Sequence, residues 1–559
     1  MVTTVYKSSS KKQVKYLLDD PNASGVVVEN AELLERVLAV EDELDLDFII
    51  SIDELAGMEL AYEYEGREDI HTLADVHERG ESVYDPDEYE SWLDEREPED
   101  LCTLIYTSGT TGQPKGVKLT HRNFRSNINQ AYARYGARPD KDDDVPAVTE
   151  DDVTLSYLPL AHVFERNSGH FMLFGLGACV AYAENPDTLR EDFELVGPTV
   201  ATSVPRVYEK IYDGIREQAT ESPLKERIFN WAVDVGQSYF EADDPGPVLE
   251  AKRRIADRLV FSTVKEGLGG NIKYMYSGGG SLSPELCALY HGMGLPILEG
   301  YGLTETSPIV STNPPEEPKI GTIGVPLIDT EIKVDETIVA DGEFPDCEGE
   351  VGELLVQGPQ VTEGYWNKPG ATDEAFFEDE DGRWFRTGDI VHARPDDYIE
   401  FKDRAKQLVV LSTGKNVAPA PIEDAFSASE VVEQCMVVGD GHKFIGALVA
   451  PNVATLRSLA EKEGIDLPED VESLCENEWV REQIQAEIDE VNRNFEDYET
   501  IKRFELVPEE FTEENGLLTP TMKKKRRNIR SQFEQQLEAI YEDFDADADE
   551  SSPGAAADD

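Results

Sequence analysis

Short apolar runs and amphipathic helical stretches follow one another near the start of the chain. The segments GVVVEN (25–30) and LDFIISID (46–53) are typical of strands, and AELLERVLAV (31–40) between them has the spacing of an amphipathic helix. Further on, VTLSYLPL (153–160) predicts a strand and SGHFMLFGLGACVAY (168–182) predicts a helix. Strands that alternate with helices in this way predict an α/β fold.

The pattern changes twice in the second half of the chain. Residues 205–268 keep a helical period, broken by the loop EADDPGP, and short strands return after Tyr274. The segments GTIGVPLIDTEIKV and GEVGELLVQGPQV predict a small β subdomain, and the polar sequence KDRAKQ (402–407) then interrupts the apolar period. We therefore predict a large domain over residues 1–404, a small domain over 405–541 and a disordered acidic tail over 542–559.

The charge balance is strongly acidic. The 559 residues include 51 Lys and Arg against 116 Asp and Glu, which gives a formal net charge of −65, and 40% of the residues are hydrophobic. The hydrophobic content indicates a globular chain, and the negative field argues against nucleic acid as a partner. Two interpretations of the acidity stay open. We favour adaptation to a high-salt cytosol, because the acidic residues are spread along the whole chain, over a merely very soluble enzyme.

Cysteine spacing and hydropathy bear on the compartment. The six cysteines lie far apart without a Cys-x-x-Cys pair, which argues against a zinc site and against a disulfide framework. No apolar run in the sequence approaches the length that crosses a bilayer, and the first residues lack a signal-peptide core. We expect a cytoplasmic protein with at most weak peripheral contact with membranes.

One segment carries the first candidate chemistry. YTSGTTGQPKG (106–116) combines glycines that leave backbone N–H groups accessible, Ser and Thr hydroxyls, and one lysine, and this combination suits phosphate oxygens. It lacks the G-x-x-x-x-G-K-[ST] spacing of a Walker A loop. The alternative is a plain turn between the strand CTLIYT and the helix HRNFRSNINQAYARY.

This segment resembles the phosphate loop of the superfamily of AMP-forming acyl- and aryl-CoA synthetases, peptide-synthetase adenylation domains and luciferases. Four further segments match that superfamily in order between residues 101 and 530. The resemblance implies a large α/β domain with a small β subdomain, a mobile α+β C-terminal domain, and binding of ATP, Mg²⁺ and coenzyme A. It also implies strands and helices ahead of Met1, so we expect an N-terminally truncated first sheet. The nucleotide contacts implied in the loop are Thr107, Ser108, Gly109, Thr110, Thr111, Gly112 and Lys115.

The next matching segments are YSGGGSLSP (276–284) and EGYGLTET (299–306). The resemblance places Tyr301 on the adenine ring and directs Thr304 and Glu305 to the phosphates and Mg²⁺. A carboxylate beside polyphosphate needs a hard cation between them, and Glu305 therefore suits the role of a magnesium ligand. Without the other motifs, an ordinary surface glutamate would be the preferred interpretation. The glycines implied to lie against adenine are Gly278, Gly279 and Gly280.

WFRTGDI (384–390) and FKDRAKQLVVLSTGKN (401–416) imply ribose contacts and a hinge. Asp389 resembles the family aspartate that accepts hydrogen bonds from both ribose hydroxyls, and Arg404 resembles the second ribose contact. Lys406 occupies the position about which the small domain turns between adenylate formation and thioester formation. From the residues alone, Asp389 also fits an Asx turn and Lys406 a solvated linker lysine.

LTPTMKKKRRNI (518–529) contains five consecutive basic residues. Contact with nucleic acid or a membrane is the general interpretation of such a cluster. The resemblance implies instead a lysine that bridges the substrate carboxylate and the α-phosphate, and the offset from the two arginines selects Lys523. Met522 stands where the family has glycine, and Lys524 and Lys525 follow at once, so which of the three lysines enters the site stays open.

The segment YLPLAHVFER (157–166), the helical stretch 207–268 and the lysine segment together resemble the long-chain fatty acyl-CoA synthetase branch. The implied reaction joins a long-chain fatty acid to coenzyme A through an acyl-adenylate, as fatty acid and lipid metabolism requires. The implied catalytic residues are Lys523, Thr304, Glu305 and His162. The alternatives are a packed core histidine at 162, an enzyme that adenylates another acid or loads a carrier-protein thiol, and a nucleotide sensor without activity.

Overall fold

The computed structural model describes residues 1–53, 67–107, 113–142, 145–185, 188–220, 222–242, 245–339, 347–405, 407–412, 415–427, 429–519 and 522–549. The described residues form mixed α/β layers with a β subdomain, followed by a separate C-terminal domain, which confirms the predicted fold class. Among these residues, no helix has both the length and the apolar character needed to cross a membrane.

A sheet of seven described strands forms the centre of the large domain. Five neighbouring strands run parallel, and each of the two strands at one edge pairs antiparallel with the strand before it in the sheet. Parallel strands covered on both faces are buried along their whole length, as every residue of the two central strands is. In sheet order the strands are Val325–Pro326, Ile309–Thr312, Ile297–Gly302, Tyr274–Ser277, Val200–Ser203, Val153–Ser156 and Cys179–Tyr182.

Helices cover both faces of this sheet. On one face, Leu155, Ala201 and Met275 pack with side chains of the helical stretch 205–267. On the other, Val200 and Tyr274 pack with residues of the helix His121–Tyr135. The large domain contains the α-helices Lys11–Asp19, Ala31–Leu38, Leu73–Val83, Pro86–Asp94, His121–Tyr135, Met172–Gly175, Leu189–Val196, Pro205–Thr220, Pro223–Glu241, Pro247–Ala256, Ser262–Gly267, Pro284–Met293 and Pro369–Ala375, the π-helices Glu165–Phe171 and Asp257–Phe261, and the 3₁₀ turns Glu41–Glu43, Thr304–Thr306 and Glu336–Ile338.

Two smaller sheets lie near the start of the chain. One consists of the described parallel strands Gly25–Val28, Phe48–Ser51 and Ile70–Thr72. In the other, Val2–Thr3 pairs parallel with Leu101–Thr107, which pairs antiparallel with Lys115–Thr120. The predicted strand CTLIYT and helix HRNFRSNINQAYARY are both present, and the strand Lys115–Thr120, which the sequence analysis did not predict, lies between the loop and the helix. Residues 115–120 alternate buried Val117 and Leu119 with polar positions, a period that favours a strand.

The prediction for residues 153–182 also needs correction. The strand ends at Ser156, and the predicted helix divides into the π-helix Glu165–Phe171, the short helix Met172–Gly175 and the strand Cys179–Tyr182. Gly177 adopts φ +85° directly after the helix. The run CVAY then pairs with Val153–Ser156, where sheet pairing outweighs its apolar helical appearance.

The predicted β subdomain is antiparallel and places two candidate site residues side by side. Its described strands are Glu331–Asp335, Glu350–Gln357, Phe376–Asp379, Gly382–Ala393 and Ile399–Arg404. The strands Gly382–Ala393 and Ile399–Arg404 pair so that Asp389 lies opposite Arg404. A buried apolar cluster beneath them, which includes Val391 and Ile399, holds this register.

The C-terminal domain packs helices on a sheet whose described strands are Val432–Val438, Gly446–Pro451 and Arg503–Leu506, beside the pair Val409–Val410 and Asn416–Val417. Its helices are Pro419–Asp424, Val453–Glu463, Val471–Glu476, Glu478–Val491, Arg526–Gln532 and Glu534–Asp549, with 3₁₀ turns at Asn492–Asn494 and Asp497–Glu499. The last helix, Glu534–Asp549, extends past residue 542, and the disorder predicted for the acidic tail stays a prediction. Ile540 and Tyr541 are buried in the domain core, and a helix that has begun extends at little cost.

Candidate active site

A cleft of about 960 Å³ opens where two parallel strands end, which is the position at which open α/β sheets bind ligands. Its wall includes the residues that directly follow the strands Tyr274–Ser277 and Ile297–Gly302. Lys115 of the large domain and Lys523 of the small domain both line it. A volume near the upper end of the range for ligand pockets leaves room for a nucleotide and a second substrate.

The ends of the predicted phosphate loop meet in this cleft. Thr107 is the last residue of one strand and Lys115 the first residue of the next, and the two are paired. The Nζ atom of Lys115 lies 4.3 Å from the centre of the Tyr365 ring. This contact between the ammonium group and the aromatic face holds the lysine at the loop without neutralising its charge.

Thr304 and Glu305 lie in a short 3₁₀ turn on the wall of the cleft, and both are buried. The Tyr365 hydroxyl donates a hydrogen bond of 2.8 Å to Glu305 Oε1, so Tyr365 connects this carboxylate with Lys115. Within the described part of the chain, no three His, Cys, Asp or Glu side chains gather into a metal site. Mg²⁺ is commonly held by one or two carboxylates together with substrate phosphates, and a single carboxylate here fits that mode.

Asp389 forms the centre of the candidate ribose site. It is 1% exposed, its Oδ2 accepts a hydrogen bond of 2.6 Å from the Tyr301 hydroxyl, and its Oδ1 lies 3.1 Å from Arg404 Nε. Burial raises the pKa of Asp389, while the Arg404 charge and the Tyr301 hydrogen bond oppose that rise. Oδ1 is buried and has no aligned hydrogen-bond donor among the described residues, an unsatisfied acceptor directly behind the cleft wall.

Two of the three candidate glycines line the cleft. Gly279 adopts φ +80°, a left-handed conformation that favours glycine. A Cβ atom on Gly278 would lie 2.8 Å from the Phe164 ring, so that position leaves no space for a side chain. Gly280 follows in the chain but is not one of the described residues on the cleft wall. A backbone without side chains at 278 and 279 gives a flat ligand close access to the strand end.

His162 lies on the cleft wall and is neutral near pH 7. Desolvation and the nearby charge of Lys523 lower the pKa of His162 to about 3. Its Nδ1 accepts a hydrogen bond of 3.2 Å from the Phe164 N–H, so the ring proton sits on Nε2. The imidazole therefore presents a hydrogen-bond donor, and the alternative of a plain core histidine fits less well because the residue borders the cleft.

The three consecutive lysines of the C-terminal domain have different surroundings. Lys523 has accessible surface, lines the cleft and interacts electrostatically with Asp389, Arg404 and His162. Desolvation and the Arg404 charge lower the pKa of Lys523 to about 8. Lys524 instead donates a hydrogen bond of 2.7 Å to Glu423 within its own domain. The geometry therefore favours Lys523 over Lys524 as the lysine of the site.

One part of the cleft wall is apolar and aromatic. Tyr135, Met172, Leu298 and Ile309 line it and belong to a single buried cluster. The ring of Tyr135 meets that of Tyr276 edge to face, with 4.6 Å between the ring centres. Such a wall offers a hydrocarbon chain an environment from which water is excluded.

Comparisons with known proteins agree with this geometry. A family model described as AMP-binding enzyme matches residues 1–366, and one described as AMP-binding enzyme C-terminal domain matches residues 406–545. The chain belongs to the AMP-binding enzyme family.

Two curated proteins and one solved structure are similar to this chain. The long-chain-fatty-acid–CoA ligase FadD15 of Mycobacterium bovis is 35% identical over 547 residues, 96% of this AMP-binding enzyme and 83% of that protein. Long-chain-fatty-acid–CoA ligase 5 of Mus musculus is 34% identical over 80% of this chain and 63% of its own. The adenylation domain of a carboxylate reductase from Mycobacterium chelonae has the same fold, with a TM-score of 0.72 and 23% identity over 97% of this chain and 76% of that one.

The structure of this AMP-binding enzyme brings most of the predicted site residues to one cleft. The predicted residues on its wall are Thr107, Lys115, His162, Gly278, Gly279, Tyr301, Thr304, Glu305, Arg404 and Lys523. Asp389 lies directly behind Tyr301 and Arg404. The loop residues Ser108, Gly109, Thr110, Thr111 and Gly112 and the hinge residue Lys406 lie outside the described residues. Their roles, like those of the residues on the wall, stay predictions.

Sequence reasoning missed two parts of the wall. Tyr365 follows no recognisable motif, yet it links Glu305 with Lys115. The first helix and the residues before it also line the cleft, and the Tyr16 hydroxyl donates a hydrogen bond of 2.8 Å to the Pro114 carbonyl beside the phosphate loop. The available signal was the serine and lysine content of VYKSSSKKQVKY, which predicts a helix start but no site.

Proposed function

We propose that the protein is an AMP-forming long-chain fatty acid–CoA ligase that converts ATP, a long-chain fatty acid and coenzyme A into acyl-CoA, AMP and diphosphate through an acyl-adenylate. The observation that carries the proposal is the meeting of Lys115, Glu305, the Asp389–Arg404 pair and Lys523 at one cleft. The long-chain ligases among the relatives support the class of acid.

Adenylate formation activates the acid. A carboxylate is a poor electrophile because its oxygen is a poor leaving group, and transfer of AMP to that oxygen makes it a good one. The carboxylate oxygen attacks the α-phosphorus, and diphosphate leaves. Lys523 would neutralise the charge that develops between the carboxylate and the α-phosphate, and Lys115 the charge on the departing diphosphate.

The remaining residues of the site would position the reactants. Asp389 would accept the ribose hydroxyls, and the Nε2–H of His162 would donate to the acid or the phosphate. Thr304 and Glu305 would face the phosphates, and Mg²⁺, when bound there, would supply further neutralisation of phosphate charge. Tyr365 would keep Glu305 and Lys115 in their relative orientation.

Thioester formation would complete the reaction. The coenzyme A thiol attacks the acyl carbonyl, the new C–S bond forms, and AMP leaves with the former carboxylate oxygen. We propose that the small domain turns about Lys406 between the two steps, which would remove Lys523 from the cleft. The ion pair of 3.0 Å between Arg216 and Glu430 joins the domains in the present orientation and would break in that movement.

An acid panel tests the proposal. The protein is incubated in molar KCl with ATP, Mg²⁺, coenzyme A and acids from acetate through octadecanoate to benzoate, and both AMP and thioester are quantified. Thioester formation concentrated on long chains is the expected result. AMP or diphosphate release without thioester would point to an enzyme that loads a carrier-protein thiol, and ATP binding without turnover would point to a nucleotide sensor.

The acidic composition leads to a proposal about the working environment. A formal net charge of −65 creates strong self-repulsion at low ionic strength, which molar salt screens to a distance of about 3 Å. We propose a salt-adapted cytoplasmic enzyme with at most weak peripheral membrane contact. Its melting temperature and activity should rise between low and molar KCl, and equal values in both would contradict the adaptation.

A further inference from the structure

A buried carboxylate holds the loop that carries Lys523. Glu423, on the helix Pro419–Asp424, is 6% exposed in its side chain. Its Oε1 accepts hydrogen bonds from Arg526 Nη2 at 2.6 Å and from the Val437 N–H at 2.8 Å, and its Oε2 accepts one from Lys524 Nζ at 2.7 Å. One side chain thus connects the helix, a strand of the C-terminal sheet and two of the residues that follow Lys523.

Described residues on the two sides of this loop pair with each other as extended segments. Leu518 pairs antiparallel with Lys524, and the Thr519 N–H donates a hydrogen bond of 2.8 Å to the Lys523 carbonyl. Successive side chains of an extended segment point to opposite sides. Lys524 on one side reaches Glu423, while Lys523 and Lys525 on the other line the cleft.

The backbone of this loop is strained at one residue. Met522 adopts φ +62°, a left-handed conformation that glycine adopts readily and that is uncommon for a residue with a Cβ atom. Its side chain packs against the cluster that contains Phe511 and Ile529. Because the backbone at this residue does not favour the observed conformation, contacts elsewhere must fix the loop.

We propose that Glu423 is a positioning residue for adenylate formation, since by holding Lys524 and Arg526 it keeps Lys523 directed into the cleft. The inference rests on the proposed role of Lys523. The charges agree with the geometry: burial would raise the pKa of Glu423, but Arg526 and Lys524 outweigh it and lower that pKa, so the carboxylate stays ionised and keeps both partners. Glu423 itself acts through Lys523 and touches no substrate.

The substitution Glu423→Gln tests the inference, because it keeps the size of the side chain and removes the charge that holds two cations. Acid-dependent exchange of diphosphate with ATP measures adenylate formation, and thioester formation from supplied acyl-adenylate measures the second step. We expect adenylate formation to fall about 10- to 100-fold, the effect of a displacement near 1 Å at a reacting centre. Thioester formation should stay within about twofold of wild type, because Lys523 takes no part in that step.

Matched variants separate positioning from a general structural effect. Glu505→Gln removes the charge of another ion pair in the same domain, with Arg481 at 3.0 Å, and both steps should keep wild-type rates. Glu423→Asp keeps the charge on a shorter side chain and should recover part of the adenylation rate. Should Glu423→Gln fold poorly, Lys524→Gln removes one partner and leaves Arg526 bound, with a smaller loss confined to adenylation.

Two results would overturn the inference: equal losses in both steps for Glu423→Gln, or adenylation within about twofold of wild type in a folded variant. The variant Lys523→Ala distinguishes a wrong positioning role of Glu423 from a wrong proposed function of Lys523. If Lys523→Ala impairs adenylation selectively and Glu423→Gln does not, only the positioning role is wrong. If Lys523→Ala shows no selectivity, the proposed role of the lysine itself is wrong.

Discussion

Replacement of Lys523 by alanine should separate the two half-reactions. The ammonium group lies in a cleft where desolvation is strong enough to lower its pKa to about 8. A charge in such an environment interacts with a developing negative charge more strongly than in water: at 4 Å the energy is about 4 kcal/mol with an effective dielectric constant near 20, against about 1 kcal/mol in water. Removal of one group that stabilises transition-state charge typically costs about 3–4 kcal/mol, so we expect adenylate formation to fall about 100- to 1000-fold.

The assay pairs the two steps and uses a neighbouring lysine as the control. Adenylate formation is followed as long-chain-acid-dependent exchange of diphosphate with ATP, and thioester formation is followed with supplied acyl-adenylate and coenzyme A. Lys525→Ala is the matched control, because Lys525 lines the same cleft on the same side of the loop. It should change adenylation by less than about fivefold, since no ion pair among the residues that the structure describes connects it with the ribose site.

The outcome discriminates between Lys523 and Lys525. A selective loss of adenylation in Lys523→Ala with near-normal thioester formation supports the assignment. An equal loss in both steps, or a larger selective loss in Lys525→Ala, would refute the reasoning from loop geometry.

Three further predictions concern the ribose site, the pH profile and the domain contact. Asp389→Asn should raise the KM for ATP about 10- to 100-fold, because hydrogen bonds to a charged group contribute about 1.5–3 kcal/mol; isothermal titration with AMP checks it, and unchanged affinity would contradict it. In the free enzyme Lys523 loses its proton as pH rises through about 8, so kcat/KM for adenylation should fall above that pH while thioester formation does not. A flat profile to pH 9.5 would argue against a protonated Lys523. Arg216→Ala removes the ion pair with Glu430, which is 56% exposed, and should favour thioester formation over adenylation by at most about fivefold, an effect that molar KCl abolishes. A shift toward adenylation would contradict the proposal that this ion pair stabilises the present orientation of the two domains.

The candidate site was predictable from the sequence where its chemistry is concentrated in short segments. The phosphate loop joins glycines, hydroxyls and a lysine in one short segment, so its residue types alone indicate phosphate binding. The GYGLTET turn and the aspartate of TGD were identified only through their resemblance to the superfamily. The strand Val153–Ser156 and the helices of residues 205–268 were likewise predictable, because a continuous apolar run and a helical period differ clearly. The fold class followed from this alternation alone.

The remaining features depend on contacts between distant residues. Lys524 meets Glu423 across 101 positions, and Tyr365 meets Glu305 across 60, so no local pattern contains either pair. The choice of Lys523 over Lys524 follows from the contact of Lys524 with Glu423. Residues 115–120 and 179–182 form strands because each has a neighbouring strand with which to pair. The intrinsic strand propensity of a segment contains no information about such a partner.

The origin of one oxygen atom tests the central claim most directly. Hexadecanoate labelled with ¹⁸O in both carboxylate oxygens is converted with ATP and coenzyme A, and the AMP is analysed by mass spectrometry. Attack of the carboxylate on the α-phosphorus followed by thiolysis at the carbonyl leaves one labelled oxygen in every AMP formed. Unlabelled AMP, or label in inorganic phosphate with ADP as the product, would contradict an acyl-adenylate in this cleft.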